Sequence, residues 1–325
     1  MKKIVFFIFA LLLSNTLLAA QLDKIVFFGD SLSDNGNLYN LFGFVPRSPP
    51  YYNGRFSNGP IWAELVGNHY QQFNHIPYKI YAYGGTTTYT HSGGGSIFSY
   101  TLSDQLSDYY GHVTPVDDKS KNLHVIWIGA NDYLWEAGAA DENMITSQVV
   151  DTIIQTMNDL KSHGARYYLI LNLPDLAESP YARQNNVVKE LHTLSVLHNE
   201  KLARALSDFA AQNPGFKVIS LDVHQLFDDL IAHPEKYNQK YQTSLRNVDQ
   251  ACWQGGITLQ RRPLSNSPAL LIADQVGRIK AHGLAPCDQA NQYVFWDQMH
   301  PSETIHQILS RIAVEALESQ AKDIL

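Results

Sequence analysis

Phe28-Gly29-Asp30-Ser31-Leu32-Ser33-Asp34-Asn35-Gly36-Asn37 decides how the rest of the chain is read. It follows a short apolar run, Ile25 to Phe28. A strand ending in Gly-Asp-Ser sets a hydroxyl at the carboxyl end of a sheet, where open α/β sheets keep their ligand sites. A serine there is a nucleophile only if a base and an oxyanion hole accompany it.

Apolar runs at 24–28, 79–83, 124–128, 167–171 and 217–221 read as five strands. Several are nearly continuous in apolar residues, which suits a sheet covered on both faces. Helical spacing lies between and after them: Val149, Val150, Ile153, Ile154, Met157 and Leu160; then Leu191, Leu194, Leu202, Leu206 and Phe209; then Ile305, Ile308, Leu309, Ile312 and Ala316, behind Pro301 and Ser302. Strand alternating with helix predicts crossover units, a parallel sheet and one α/β domain over 21–325. Residues 39–60 and 84–101 are long loops rich in Gly, Pro, Ser, Asn and Tyr, a length associated with function. Residues 234–296, the least regular part, read as a lid-like insertion on the same domain.

Residues 1–20 read as an export signal. Lys2 and Lys3 open it, an apolar stretch spans 4–13, and Ala19-Ala20 lies near the cleavage point. The apolar stretch is short for a span, which needs about 20 residues. The mature protein is expected in the periplasm or outside the cell. The chain of 325 residues carries 24 basic and 31 acidic groups, a net charge of −7 with no basic run. That balance excludes a phosphate-neutralising nucleic-acid binder. The 18 tyrosines are expected to pack and hydrogen-bond at the surface. Cys252 and Cys287, an even count in an exported chain, predict a disulfide worth roughly 4 kcal/mol by loop entropy. Two free thiols are the alternative. Arg261 and Arg262 inside that loop make it a target for an activating protease.

Ser31 needs an imidazole, a carboxylate to orient it, and oxyanion donors. Asp297-Gln298-Met299-His300 offers the first two side chains three residues apart, on one face of a turn. Gly129-Ala130-Asn131-Asp132 follows the third strand and carries an amide; Gly84-Gly85 follows the second, where a missing side chain lets a backbone N–H approach. Three polar motifs, each after its own strand, can converge on one sheet edge.

The chain resembles the GDSL, or SGNH, hydrolase family. Gly29-Asp30-Ser31-Leu32, Gly85 within Ala82-Tyr83-Gly84-Gly85-Thr86, Gly129-Ala130-Asn131-Asp132 and Asp297-Gln298-Met299-His300 match its four blocks in order. The resemblance implies a three-layer α/β/α, flavodoxin-like fold around a central parallel five-stranded sheet. It implies Ser31 as nucleophile, His300 as base and Asp297 as orienter. The oxyanion donors would be the N–H groups of Ser31 and Gly85 and the side-chain amide of Asn131. One departure is Ile80, where many members carry Asn, which leaves the choice between Gly84 and Gly85 open. Asn53-Gly54-Arg55-Phe56-Ser57-Asn58-Gly59-Pro60 is similar to a stretch of the secreted lysophospholipase and glycerophospholipid–cholesterol acyltransferase branch. Arg55 there is read as ordering the turn before a helix near Pro60 rather than as touching substrate.

The implied activity is a secreted serine esterase acting on acyl esters of phospholipids or lysophospholipids drawn from membranes or micelles, with transfer to an alcohol such as cholesterol as an extension. A carbohydrate O-acetylesterase or thioesterase uses the same residues, and a non-catalytic surface-binding protein is a further class. The Gly-x-Ser-x-Gly elbow of α/β-hydrolases is absent, as are a phosphate loop, an EF-hand spacing and an H-E-x-x-H zinc helix. No metal or organic cofactor is expected.

Overall fold

Continuous apolar strands flanked by amphipathic helices have one stable arrangement, a sheet buried between two helical layers. The computed structural model describes residues 22–43, 45–91, 100–112, 118–136, 138, 141–255 and 285–325, with the backbone alone at Trp135 and Glu136. The leader at 1–20 lies outside the described residues. Strands β1 (Lys24–Gly29), β2 (Tyr78–Ile80), β3 (Asn122–Trp127), β4 (Tyr167–Leu171) and β5 (Lys217–Leu221) form one sheet. All pairs are parallel, in the order β2-β1-β3-β4-β5. This is the flavodoxin-like order, with its switch point beside β1. The register sets Phe28 against Ile126, Val125 against Leu169 and Leu169 against Ile219, all buried.

Among the described residues the α-helices in chain order are α1 (Asn37–Phe42), α2 (Trp62–Asn74), α3 (Leu102–His112), α4 (Ala130–Glu136), α5 (Glu142–Ser162), α6 (Pro180–Gln184), α7 (Val188–Gln212), α8 (Val223–Ala232), α9 (Pro234–Tyr241) and α10 (Glu303–Gln320). Helices α2 and α10 pack together on one face, while α5 packs on α3 and α7 on the other. The fold is a three-layer α/β/α sandwich. Helix α5 starts where the Asp141 side chain accepts from the N–H groups of Asn143 and Met144, and it buries Val149, Val150, Ile153, Met157 and Leu160. Each such Ile or Leu stabilises by about 1.5–3 kcal/mol relative to exposure.

Strands β4 and β5 have the expected bounds, β1 runs one residue further, and β3 starts two residues earlier. The second strand differs more: β2 ends at Ile80, three residues short. It is an edge strand with a single neighbour, and the chain peels away gradually. The N–H of Tyr81 still donates to Phe27 O (2.8 Å) and that of Tyr83 to Gly29 O (3.3 Å). The peeling carries Gly84 and Gly85 over the end of β1. The tyrosine expectation fails at Tyr51, Tyr70, Tyr109, Tyr133, Tyr168 and Tyr181, which are fully buried. Tyr109 reaches His124 Nε2 (3.2 Å) and Tyr133 reaches His198 Nδ1 (2.7 Å), so their hydroxyls are satisfied inside the core.

Within 234–296, β6 (Asn247–Ala251) pairs in parallel with β7 (Tyr293–Phe295). Cys252 and Cys287 are disulfide-bonded, with Cα atoms 5.0 Å apart and a sequence separation of 35. Arg261 and Arg262 lie outside the described residues. A small second core joins Leu38 of α1 and Val45, Tyr51 and Phe56 of the first long loop region to Cys252, Trp253 and Trp296. Backbone bonds from Cys252 N to Phe295 O (3.1 Å) and from Trp253 N to Trp296 O (2.8 Å) hold the cysteine segment against the strand that leads into Asp297. No described helix is long and apolar enough to cross a membrane.

Candidate active site

Ser31 sits on the turn directly after β1. A Cβ at Gly29 would stand 2.4 Å from Trp127 O, so only glycine lets β1 lie this close to β3 before turning. The side chain of Gln105 on α3 clasps that glycine, accepting from its N–H (2.9 Å) and donating to its carbonyl (2.6 Å). The turn closes on itself: Leu32 N donates to Asp30 Oδ1 (3.0 Å) and Ser33 N to Asp30 O (3.0 Å). Asp34 then accepts from the N–H groups of Gly36 (2.8 Å), Asn37 (2.6 Å), Leu38 (3.2 Å) and Gly84 (2.8 Å). One buried carboxylate thus ties the Ser31 turn to the glycine block. Burial pushes the Asp34 carboxyl up to about 6 despite these donors.

The structure brings Ser31, His300 and Asp297 together. His300 Nε2 is 2.9 Å from Ser31 Oγ, and His300 Nδ1 is 2.8 Å from Asp297 Oδ2 and 3.0 Å from Oδ1. The spacing of three residues works through a tight turn before α10, closed by the N–H groups of Met299 (2.8 Å) and His300 (2.7 Å) on Asp297 Oδ1. Burial alone would raise the Asp297 carboxyl. The charge and hydrogen bond of His300, the hydroxyl of Tyr51 and the Met299 amide together hold it below the usual carboxylate range. Asp30 is also fully buried. Burial raises it to about 7, against the opposing pull of the Leu32 amide and His300.

Gly85 and Asn131 face the same cavity as Ser31. The N–H of Gly84 is engaged by Asp34 at 2.8 Å, whereas Gly85, at φ +79°, lines the cavity. Of the two glycines, Gly85 is the one placed beside Ser31. Asn131 opens the first turn of α4, and its Nδ2 donates one hydrogen to Thr86 O (2.9 Å). Its neighbour Asp132, fully buried, accepts from the N–H (3.1 Å) and hydroxyl (2.9 Å) of Thr88 and contacts His91 Nε2 (2.9 Å). This fastens the glycine loop to the end of β3.

The cavity encloses about 890 Å³, counting its open mouth. Leu32, Trp127, Leu134, Leu176, Phe227, Phe295 and Met299 form its apolar walls around the polar group of Ser31, Asn131 and His300. Arg55 is not among the lining residues. Its guanidinium pairs with Glu64 on the first turn of α2 (2.5 Å), and Glu64 also accepts from Ile61 N (3.2 Å), so Arg55 orders the helix start. The neighbouring stretch reaches the His300 segment: Ser57 Oγ donates to Pro301 O (3.1 Å) and Glu303 N to Asn58 Oδ1 (2.8 Å). Tyr51, Gln105, Thr88, His91 and Asp132 were not among the site residues expected from sequence. Tyr51, Thr88 and His91 lie in the long loops and Asp132 in the Gly-x-Asn-Asp block, which were their only hints of a role; Gln105, on α3, had none. Among the described residues, no group of three or more His, Cys, Asp or Glu is placed to hold a metal ion.

Residues 25–312 match the family model described as GDSL-like Lipase/Acylhydrolase. The chain is 30% identical over 319 residues to a phosphatidylcholine-sterol acyltransferase of Aeromonas hydrophila, covering 91% of this chain and 90% of that protein. It is 24% identical over 312 residues to the thermolabile hemolysin of Vibrio parahaemolyticus, covering 93% of this chain and 65% of that protein. An acetylxylan esterase structure from Geobacillus stearothermophilus is similar at 13% identity and a TM-score of 0.43, over 93% of this chain and 96% of that one. With the family model spanning nearly the whole chain, this protein belongs to the GDSL-like lipase/acylhydrolase family.

Proposed function

We propose that this protein is an exported serine esterase that cleaves acyl esters of phospholipids and lysophospholipids, with Ser31 as nucleophile, His300 as base and Asp297 as orienter. The observation that carries the reading is the 2.9 Å contact between Ser31 Oγ and His300 Nε2 within an apolar cavity. Ser31 Oγ attacks the ester carbonyl as His300 Nε2 takes its proton. The N–H groups of Ser31 and Gly85 and the amide of Asn131 receive the oxyanion. His300 then protonates the departing glycerol oxygen, leaving the acyl group on Ser31. Water, deprotonated by the same imidazole, releases the fatty acid and restores the serine. An alcohol in place of water completes a transfer instead. The phosphatidylcholine-sterol acyltransferase name of one relative supports a sterol as that alcohol.

Apolar walls favour a long acyl chain over the acetyl group of a sugar ester. The chain is taken as one domain, 21–325, with a cysteine-bounded, lid-like insertion around 234–296, and an activating protease acting in that insertion is part of the proposal. The chemistry requires no cofactor. The test is a panel of lysophosphatidylcholine, phosphatidylcholine micelles and acetylated xylan, each with and without cholesterol. Fatty-acid release from the lipids, with cholesteryl ester forming when sterol is present, is expected. Acetate release from xylan without lipid cleavage would overturn the substrate class.

Asn131→Ala is expected to lower kcat about 10²–10³-fold with little change in KM, because the lost amide acts on charge that develops only in the transition state. A loss below about threefold in steady-state kinetics would remove Asn131 from the oxyanion hole.

A further inference from the structure

We infer that Tyr51 is a positioning residue for this ester cleavage, acting through Asp297. The inference rests on the proposed roles of Ser31, His300 and Asp297. Tyr51 lies 246 positions before Asp297, yet its hydroxyl donates to Asp297 Oδ2. A carboxylate has about four lone-pair sites, and those of Asp297 are filled. Oδ1 takes the N–H groups of Met299 and His300; Oδ2 takes His300 Nδ1 and Tyr51. With Asp297 fully buried, each donor counts toward keeping it ionised.

The ring of Tyr51 is held independently of its hydroxyl. It meets Trp253 edge-on (5.1 Å, 82°) and Phe56 at 6.0 Å, and Phe56 packs on the His300 ring at 5.1 Å. A phenylalanine would make the same ring contacts. The hydroxyl acts on Asp297: it draws charge from the oxygen that His300 Nδ1 also uses, which tempers how strongly Asp297 holds a proton on the ring. Without it, Asp297 grips His300 harder, and the imidazolium gives its proton to the leaving oxygen less readily. Among the described residues, Asp30 from the Ser31 turn and His306 from α10 also interact electrostatically with His300, and Tyr51 replacement leaves both in place.

Tyr51→Phe in the full-length protein is expected to melt close to the wild type. Its kcat on lysophosphatidylcholine should fall about tenfold with KM within about twofold. The acidic limb of its kcat/KM profile should move to higher pH. Introducing 3-fluorotyrosine at position 51, a stronger donor with the same shape, should move that limb the other way. In an Asp297→Asn background, Tyr51→Phe should change kcat by less than about twofold. An unshifted limb in both position-51 variants, with Ser31→Ala inactive, overturns the role of Tyr51 and leaves the esterase reading standing. An equal loss with and without Asp297 also overturns it. Full activity in Ser31→Ala overturns the proposed roles of Ser31, His300 and Asp297 on which the inference rests.

Discussion

Ser31→Ala is expected to lower kcat on a lysophospholipid about 10⁶-fold and to abolish labelling by a fluorophosphonate. The serine is nearly buried, at 8% exposure, and its Oγ lies 2.9 Å from the only imidazole lining the cavity among the described residues. On the proposed mechanism, alanine removes the oxygen that forms the acyl intermediate. The turn itself is held by Asp30, Ser33 and Gln105, none of which bonds to the Ser31 hydroxyl. The variant should therefore fold and bind lipid. The oxyanion donors and the cavity remain, so a residual rate of about 10³–10⁴ over the uncatalysed reaction is expected. Turnover within tenfold of wild type, or retained labelling, would place the nucleophile elsewhere and remove the basis of the proposed mechanism.

The sheet and helices α2, α5, α7 and α10 were legible because burial on both faces forces near-continuous apolar runs, and helical crossovers force a 3.6-residue period; α3 was not. Strand limits were less so at the edge: nothing in Lys79–Tyr83 marks Ile80 as the last paired residue, since Tyr81 and Tyr83 still bond to β1 one-sidedly. Ser31, Gly85, Asn131, Asp297 and His300 stood out because each follows a strand or shapes a turn, and such requirements are local. No spacing marks that the Asp34 side chain, fifty residues away, takes the Gly84 N–H and leaves Gly85 lining the cavity. Tyr51 on Asp297, Gln105 on Gly29 and His91 on Asp132 were invisible for the same reason. Each joins two loops or layers whose meeting depends on the whole topology, and no spacing in the chain encodes it.

Asp297→Asn is expected to lower kcat about 10⁴-fold while leaving the fold intact. The reason lies in the local donors. Two backbone N–H groups, from Met299 and His300, converge on Oδ1, so an asparagine must keep its carbonyl oxygen there. Its NH₂ then occupies the place of Oδ2, facing His300 Nδ1 and the Tyr51 hydroxyl. An NH₂ donates, so Nδ1 becomes an acceptor and the ring proton moves to Nε2. That nitrogen, 2.9 Å from Ser31 Oγ, then carries a hydrogen where it must accept one. The defect is one of tautomer rather than of packing, so melting temperature and lipid binding should change little while kcat collapses. A variant that keeps kcat within tenfold would mean that Asp297 does not orient the base, and that the 2.8 Å contact with His300 only braces the turn before α10.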